Sequence, residues 1–319
     1  MKQQLQFNTP WIPQRADPYV LRHTDGKYYF TASVPAYDRI VLREAADLAS
    51  LADAPEHTIW KAHKLGPMSK HIWAPELHFL FGKWYLYFAG GEKTNIWKIR
   101  PYVLECQGSD PLRDPWVEKG KMQAADGDVF SFRAFSLDAT VFEHRGEWYY
   151  VWAEKVSVGP QISNLYIAKM ANGYTLKTKQ VLLSSPDYDW ERHGFWVNEG
   201  PAVIQREGKV FLTYSASDTG VHYCVGMLTA DADSDLLDPR SWHKERWPVL
   251  ATDEAKGVYG PGHNSFTTDS EGRDLLVFHA RTEAEITGNP LYNPNRHAML
   301  QPIRWENGRP IFSFDNSIA

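Results

Sequence analysis

Trp196-Val197-Asn198-Glu199-Gly200-Pro201-Ala202-Val203 sets a charged residue just ahead of an apolar strand, and the same arrangement recurs along the chain. Aligned on their strands, the five sites are Asp17-Pro18-Tyr19-Val20, Pro75-Glu76-Leu77-His78, Asp138-Ala139-Thr140-Val141, Glu199-Gly200-Pro201-Ala202-Val203 and Gly262-His263-Asn264-Ser265-Phe266. From Asp17 through Glu76, Asp138 and Glu199 to His263, the intervals are 59, 62, 61 and 64 residues. Each site leads into a strand, a glycine turn and an aromatic strand. Leu77–Phe81 and Trp84–Phe88 flank Gly82-Lys83, Thr140–His144 and Trp148–Trp152 flank Arg145-Gly146, and Ala202–Arg206 and Val210–Tyr214 flank Glu207-Gly208. Asp25-Gly26 and Glu271-Gly272 complete the set. Apolar runs bounded in this way are hairpin signals.

A period near 60 residues is too long for a helical repeat and suits a propeller blade with long loops. The expected fold is all-β: a five-bladed β-propeller of four-stranded antiparallel blades around a central axis, with residues 1–319 as a single catalytic domain. The first strand of a blade lines the axis, so Asp17, Asp138, Glu199 and His263 are expected to converge on one pocket. Taken singly, each is also an ordinary strand-flanking turn residue. Their common phase with five hairpins is what favours the pocket.

Bulk composition removes several classes of function. The net charge is −5 and no Lys/Arg-rich run occurs, which excludes binding to a nucleic-acid backbone. No apolar stretch of about 18 residues is present to span a membrane. Met1–Phe7 lacks the apolar core of a secretory leader, so the sequence as written reads as cytoplasmic. Cys106 and Cys224 sit in strand-like runs and are expected to be buried thiols. Aromatic residues reach 14%, with 13 Trp, which serves either sugar stacking or the wedges between blades.

Individual positions sharpen the picture. Pro18 biases Asp17 toward extended backbone. Trp73, just ahead of the second inner strand, is a sugar platform or an inter-blade wedge. Asp138 runs straight into an apolar strand, where an unpaired carboxylate is costly. Around Glu199, His193, Phe195 and Trp196 are expected to form an aromatic wall that raises its pKa, as a general acid requires. His263 is either structural or a ligand for a central ion or its water shell. Arg296 either grips sugar hydroxyls and orients a carboxylate, or forms a surface salt bridge. Asp231-Ala232-Asp233-Ser234-Asp235 lacks the glycine and closing glutamate of a calcium loop.

Ala16-Asp17-Pro18-Tyr19, Trp73-Ala74-Pro75-Glu76, Ser136-Leu137-Asp138-Ala139, Asn198-Glu199-Gly200-Pro201 and Gly262-His263-Asn264, in this order and spacing, resemble the five-bladed enzymes of glycoside hydrolase family 43. The resemblance implies Asp17 as general base, Glu199 as general acid, and Asp138 as a third carboxylate that orients the acid and raises its pKa. It also implies a calcium ion near His263, coordinated mainly by water, and a sugar contact from Arg296. Trp73, Phe195 and Trp196, from their own positions beside the inner strands, are expected to be further substrate contacts. The implied reaction is hydrolysis with inversion. Residues 32–39 and 291–297 look most like the α-L-arabinofuranosidase branch, which implies exo action on an arabinose-containing oligosaccharide. The alternatives are a β-xylosidase or endo-arabinanase on the same fold, and a non-catalytic sugar-binding propeller.

Overall fold

Hairpins closed by glycine turns lay down the frame. The computed structural model describes residues 5–155 and 162–315, so Met1–Gln4, on which the leader expectation partly rests, lie outside the described residues. In three hairpins Leu80 pairs with Lys83, His144 with Glu147 and Arg206 with Lys209, leaving two-residue turns. These turns are Phe81-Gly82, Arg145-Gly146 and Glu207-Gly208, with φ of 50°/73°, 52°/78° and 50°/75°. Positive φ at both positions is the type I′ geometry that matches strand twist. The turn in the second hairpin therefore lies one residue earlier than the Gly82-Lys83 of the sequence reading.

Each hairpin extends into a blade. Blade I comprises Ala16–Arg22, Tyr28–Ser33, Arg39–Ala45 and His57–Lys61, and blade II comprises Lys70–Leu80, Lys83–Glu92, Asn95–Cys106 and Trp116–Lys121. Ser136–His144, Glu147–Lys155, Ile162–Asn172 and Val181–Ser184 make blade III. Trp196–Arg206, Lys209–Ala216, Cys224–Asp231 and Trp242–Lys244 make blade IV. Blade V has Tyr259–Thr268, Asp274–Arg281 and His297–Pro302. Its outer edge is covered by residues 8–12, which make an isolated antiparallel bridge, Ile12 to Ala298. Asn8 N–H donates to the Leu300 carbonyl at 2.9 Å, Trp11 N–H to that of Ala298 at 2.8 Å, and Ala298 N–H to that of Ile12 at 3.0 Å. The ring is thus closed by residues 8–12.

Apolar side chains fill the wedges between blades. Tyr87, Tyr150, Trp152 and Tyr166 belong to one buried cluster, and Val151, Leu165, Ile167, Val210 and Leu212 to the next. Burying a side chain of this size contributes roughly 1.5–3 kcal/mol. Cys106 and Cys224 are buried, free thiols, as expected. Among the described residues, no helix is long and apolar enough to cross a membrane.

One backbone feature repeats in every blade and is invisible in composition. Each inner strand carries a register shift against its neighbour, and at each shift one residue has left-handed backbone. At the shift nearest the hairpin turn the residues are Asp17 (φ 54°), Ala74 (46°), Asp138 (51°), Gly200 (53°) and His263 (44°), and blades II and V carry a second shift at His71 (53°) and Gly260 (56°). A bulge with such a residue re-aims the side chains around it. It also corrects the phase of blade II: the bulge falls at Ala74, so Glu76 is not the counterpart of Asp17. Glu76 is buried and bonded to Nε2 of His78 at 2.8 Å.

Candidate active site

The bulges bring the predicted carboxyl groups to one cavity. It has a volume of about 790 Å³, within the usual range for ligand pockets, and its walls include Asp17, Asp138, Glu199, His263 and Arg296. Four inner strands, from blades I, III, IV and V, and the loop ahead of His297–Pro302 therefore deliver these residues to one site, whereas Glu76 does not line it.

Asp17 is buried on the blade I bulge. Ser33 Oγ donates to its Oδ2 at 2.5 Å, and Oδ1 lies 3.4 Å from His263 Nδ1, from His279 Nδ1 and from Arg296 Nη1. Burial alone disfavours this carboxylate, but His263, Arg296 and His279 outweigh burial and hold its pKa well below the ordinary range. Burial pushes the His279 imidazole down to about 3 and also lowers that of His263, so Arg296 is the lasting cation beside Asp17. Ser33 Oγ also accepts Ala74 N–H at 2.8 Å, which ties the first two bulges together.

Glu199 behaves oppositely. Enclosure in the cavity, with Asp17 reinforcing it, pushes its pKa up to about 7, against a hydrogen bond from Tyr223 Oη to Oε1 at 2.9 Å and the opposing pull of Arg296. Asp138 is also raised, first by burial and then by the charges of Glu199 and Asp17, while Gly200 N–H donates to its Oδ2 at 3.2 Å. Two buried carboxyl groups that disfavour each other's ionisation retain a proton between them near neutral pH. The site thus holds one carboxylate kept ionised and another kept protonated. That division is what paired acid and base chemistry needs.

The aromatic wall differs from the expected one. Phe195 lines the cavity, with Val197 and Glu199 following at alternate positions, whereas Trp196 is absent from its lining and stacks under the Arg192 guanidinium at 4.9 Å. Side chains alternate along an extended strand, so neighbours cannot both face inward. His193 pairs with His222 instead, at 4.5 Å between ring centroids. Trp73 lines the cavity and is buried, stacked on His71 of its own strand at 4.4 Å and edge-on to Tyr37 of blade I at 5.9 Å between centroids. Trp97 and Phe135 complete the aromatic lining.

Arg296 is buried, which removes the surface salt bridge. Its Nη2 donates to Tyr37 Oη at 2.7 Å, and Tyr37 donates onward to the Leu291 carbonyl at 2.6 Å. Tyr223 and His279 were missed by sequence reasoning. Tyr223 sits in a connection without a motif, and the only signal for His279 is a histidine closing the apolar run Leu275–Phe278.

A calcium ion at His263 has to suit the donors present. Among the described residues, no group of three or more His, Cys, Asp or Glu side chains forms a metal cage. Beside His263, however, both polar atoms of the Asn264 amide are buried without a hydrogen-bond partner. A buried amide left without partners, on the residue that follows His263, fits the water shell of a hydrated, oxygen-preferring cation better than direct coordination.

Comparison with known proteins gives the family. A family model described as glycosyl hydrolases family 43 matches residues 7–310. An extracellular exo-α-(1→5)-L-arabinofuranosidase of Streptomyces avermitilis is 51% identical over 96% of this chain and 63% of its own length. One of the same description from Streptomyces chartreusis is 50% identical over 89% of this chain and 85% of its own. The chain therefore spans under two thirds of the first relative and most of the second. The crystal structure of an α-L-arabinofuranosidase from Lactobacillus brevis superposes with a TM-score of 0.89 at 51% identity, covering 96% of this chain and 95% of that one.

Proposed function

Because the chain belongs to glycosyl hydrolase family 43, we propose that it is an exo-acting, inverting α-L-arabinofuranosidase that releases terminal arabinose from arabino-oligosaccharides or arabinan side chains. The observation that carries the reading is that Asp17, Asp138 and Glu199 line one cavity, with Asp17 held by Ser33 Oγ beside Arg296 and Glu199 receiving the Tyr223 hydroxyl.

In this mechanism Asp17, ionised, takes a proton from a water that attacks the anomeric carbon on the face opposite the leaving group. Glu199, protonated, delivers its proton to the glycosidic oxygen as that C–O bond breaks. One proton is gained and one lost per turnover, so the two carboxyl groups are reset through solvent. Asp138 shares the acid's negative charge and keeps a proton on the pair. Arg296 restrains Asp17 and presents its remaining donors to sugar hydroxyls, with Trp73 and Phe195 supplying apolar faces. A hydrated calcium ion, when bound, would rest against His263 and Asn264 through its waters and supply positive potential to the carboxyl cluster. Metal analysis of the purified protein tests that site.

Proton NMR of the products from a linear arabino-oligosaccharide should show β-arabinose appearing first, one residue at a time. Glu199→Gln should abolish most turnover on the same substrate while leaving binding intact. First release of the α-anomer would overturn inversion, and near-normal turnover by Glu199→Gln would overturn the assignment of the acid.

A further inference from the structure

Tyr223 occupies a seat built for it. The residue is 1% exposed, and its ring lies parallel to that of His279, 5.5 Å between centroids at an interplanar angle of 3°. On the opposite strand Gly262 leaves the necessary space, because a Cβ there would fall 2.4 Å from the tyrosine ring. Held against Gly262 and His279, both of blade V, the phenol has little freedom, and its hydroxyl donates to Glu199 Oε1 at 2.9 Å. His279 in turn accepts Asp17 N–H on Nδ1 at 3.1 Å. A single stack therefore reaches from the backbone of the base to the carboxyl group of the acid.

We propose that Tyr223 is a positioning residue that fixes which oxygen of Glu199 carries the transferable proton: by donating to Oε1, it assigns that proton to Oε2. The inference rests on Glu199 being the acid. A neutral carboxyl group has one hydroxyl oxygen and one carbonyl oxygen, and the one already receiving a hydrogen bond is the better carbonyl. Burial, with Glu199, Asp138 and Asp17 nearby, pushes the Tyr223 phenol well above its ordinary pKa, so it remains a donor. As the proton leaves Oε2 for the glycosidic oxygen, negative charge grows on the carboxyl group. The bond from Tyr223 strengthens with it, which favours the transition state over the ground state.

Tyr223→Phe tests this, because it retains the ring, the stack and the fit against Gly262 while removing only the hydroxyl. Rates are compared on two aryl glycosides of the sugar that the wild type cleaves. One has a poor leaving group that needs protonation, and the other has a dinitrophenyl leaving group that does not. The variant should lose about tenfold to a hundredfold in kcat/KM on the first, with a loss at least tenfold smaller on the second. Equal losses on both substrates, or no loss on either, overturn the proposal. Glu199→Gln is measured alongside. If it shows the leaving-group split and Tyr223→Phe does not, only the role of Tyr223 fails. If it shows no split, the assignment of the acid fails, and the proposal with it.

Discussion

Gly200→Ala probes the link between backbone and chemistry most directly. Gly200 has φ 53°, and an added Cβ would stand 3.1 Å from both Cγ and Nδ1 of His263. Left-handed backbone costs a residue with a Cβ about 1–2 kcal/mol. The imidazole cannot simply retreat, because its Nδ1 faces Asp17 at 3.4 Å and Asp138 at 3.8 Å, and its backbone N–H is held by Ser215 Oγ at 2.7 Å. Absorbing a few tenths of an ångström there adds about 1 kcal/mol of overpacking, so the expected destabilisation is about 2–3 kcal/mol. The displacement falls between Glu199 and Asp138, where small misplacements are costly, and kcat/KM should drop about tenfold to a hundredfold. Gly208→Ala is the control: its φ is 75°, but nothing lies within 4 Å of an added Cβ. It should lose only the backbone portion, about 1–2 kcal/mol, and keep full activity. Urea titrations give the two stabilities and initial rates the activities. If the variants are equally destabilised and equally active, the argument from contact with His263 is wrong.

Three further outcomes are expected. Glu199 titrates near 7 rather than 4.5 in the fold, so kcat/KM on an unactivated glycoside should decline as pH rises through about 7. The same raised pKa means that this group subtracts stability progressively between pH 4.5 and about 7, which urea titrations across that window would register. Arg296→Met strands the Asp17 carboxylate beside neutral imidazoles and should cost about 3–5 kcal/mol at neutral pH. Because the folded pKa of Asp17 is depressed, its contribution is present above its unfolded value near 3.8 and lost as pH falls, so the gap between wild type and variant should narrow on acidification. Ile12→Ala, at a residue 1% exposed in the closing segment, should cost about 2–5 kcal/mol by calorimetry or urea; an unchanged midpoint would mean that closure contributes little.

The hairpins were legible because two-residue turns with positive φ select glycine, and glycine punctuates the sequence at a steady period. Asp17, Asp138 and His263 were legible because they share that phase, and Glu199 because it stands one residue ahead of the matching Gly200. The bulges were not, since Asp17, Asp138 and His263 give no sign that their backbone is left-handed, and Ala74 gives none at all. Hence Glu76 was aligned two residues out of phase. Trp196 was misplaced because strand alternation turns every second side chain away, and nearness to Glu199 in sequence does not reveal which. Tyr223 escaped because it depends on a gap left by Gly262. The Gly260-Pro261-Gly262 run could be read as a shaped turn, but not as room for a ring from another blade.

The contribution of residues 8–12 to blade V has a consequence for biosynthesis. A ribosome makes residues 8–12 ahead of blade I and their partner, His297–Pro302, only after the other four blades have emerged. Until then the segment just ahead of Asp17 has nothing to pair with, so the catalytic base waits on the last strand of the ring. A nascent chain arrested after blade IV should carry much of its sheet structure yet hydrolyse nothing, acquiring activity in one late step as the two ends meet.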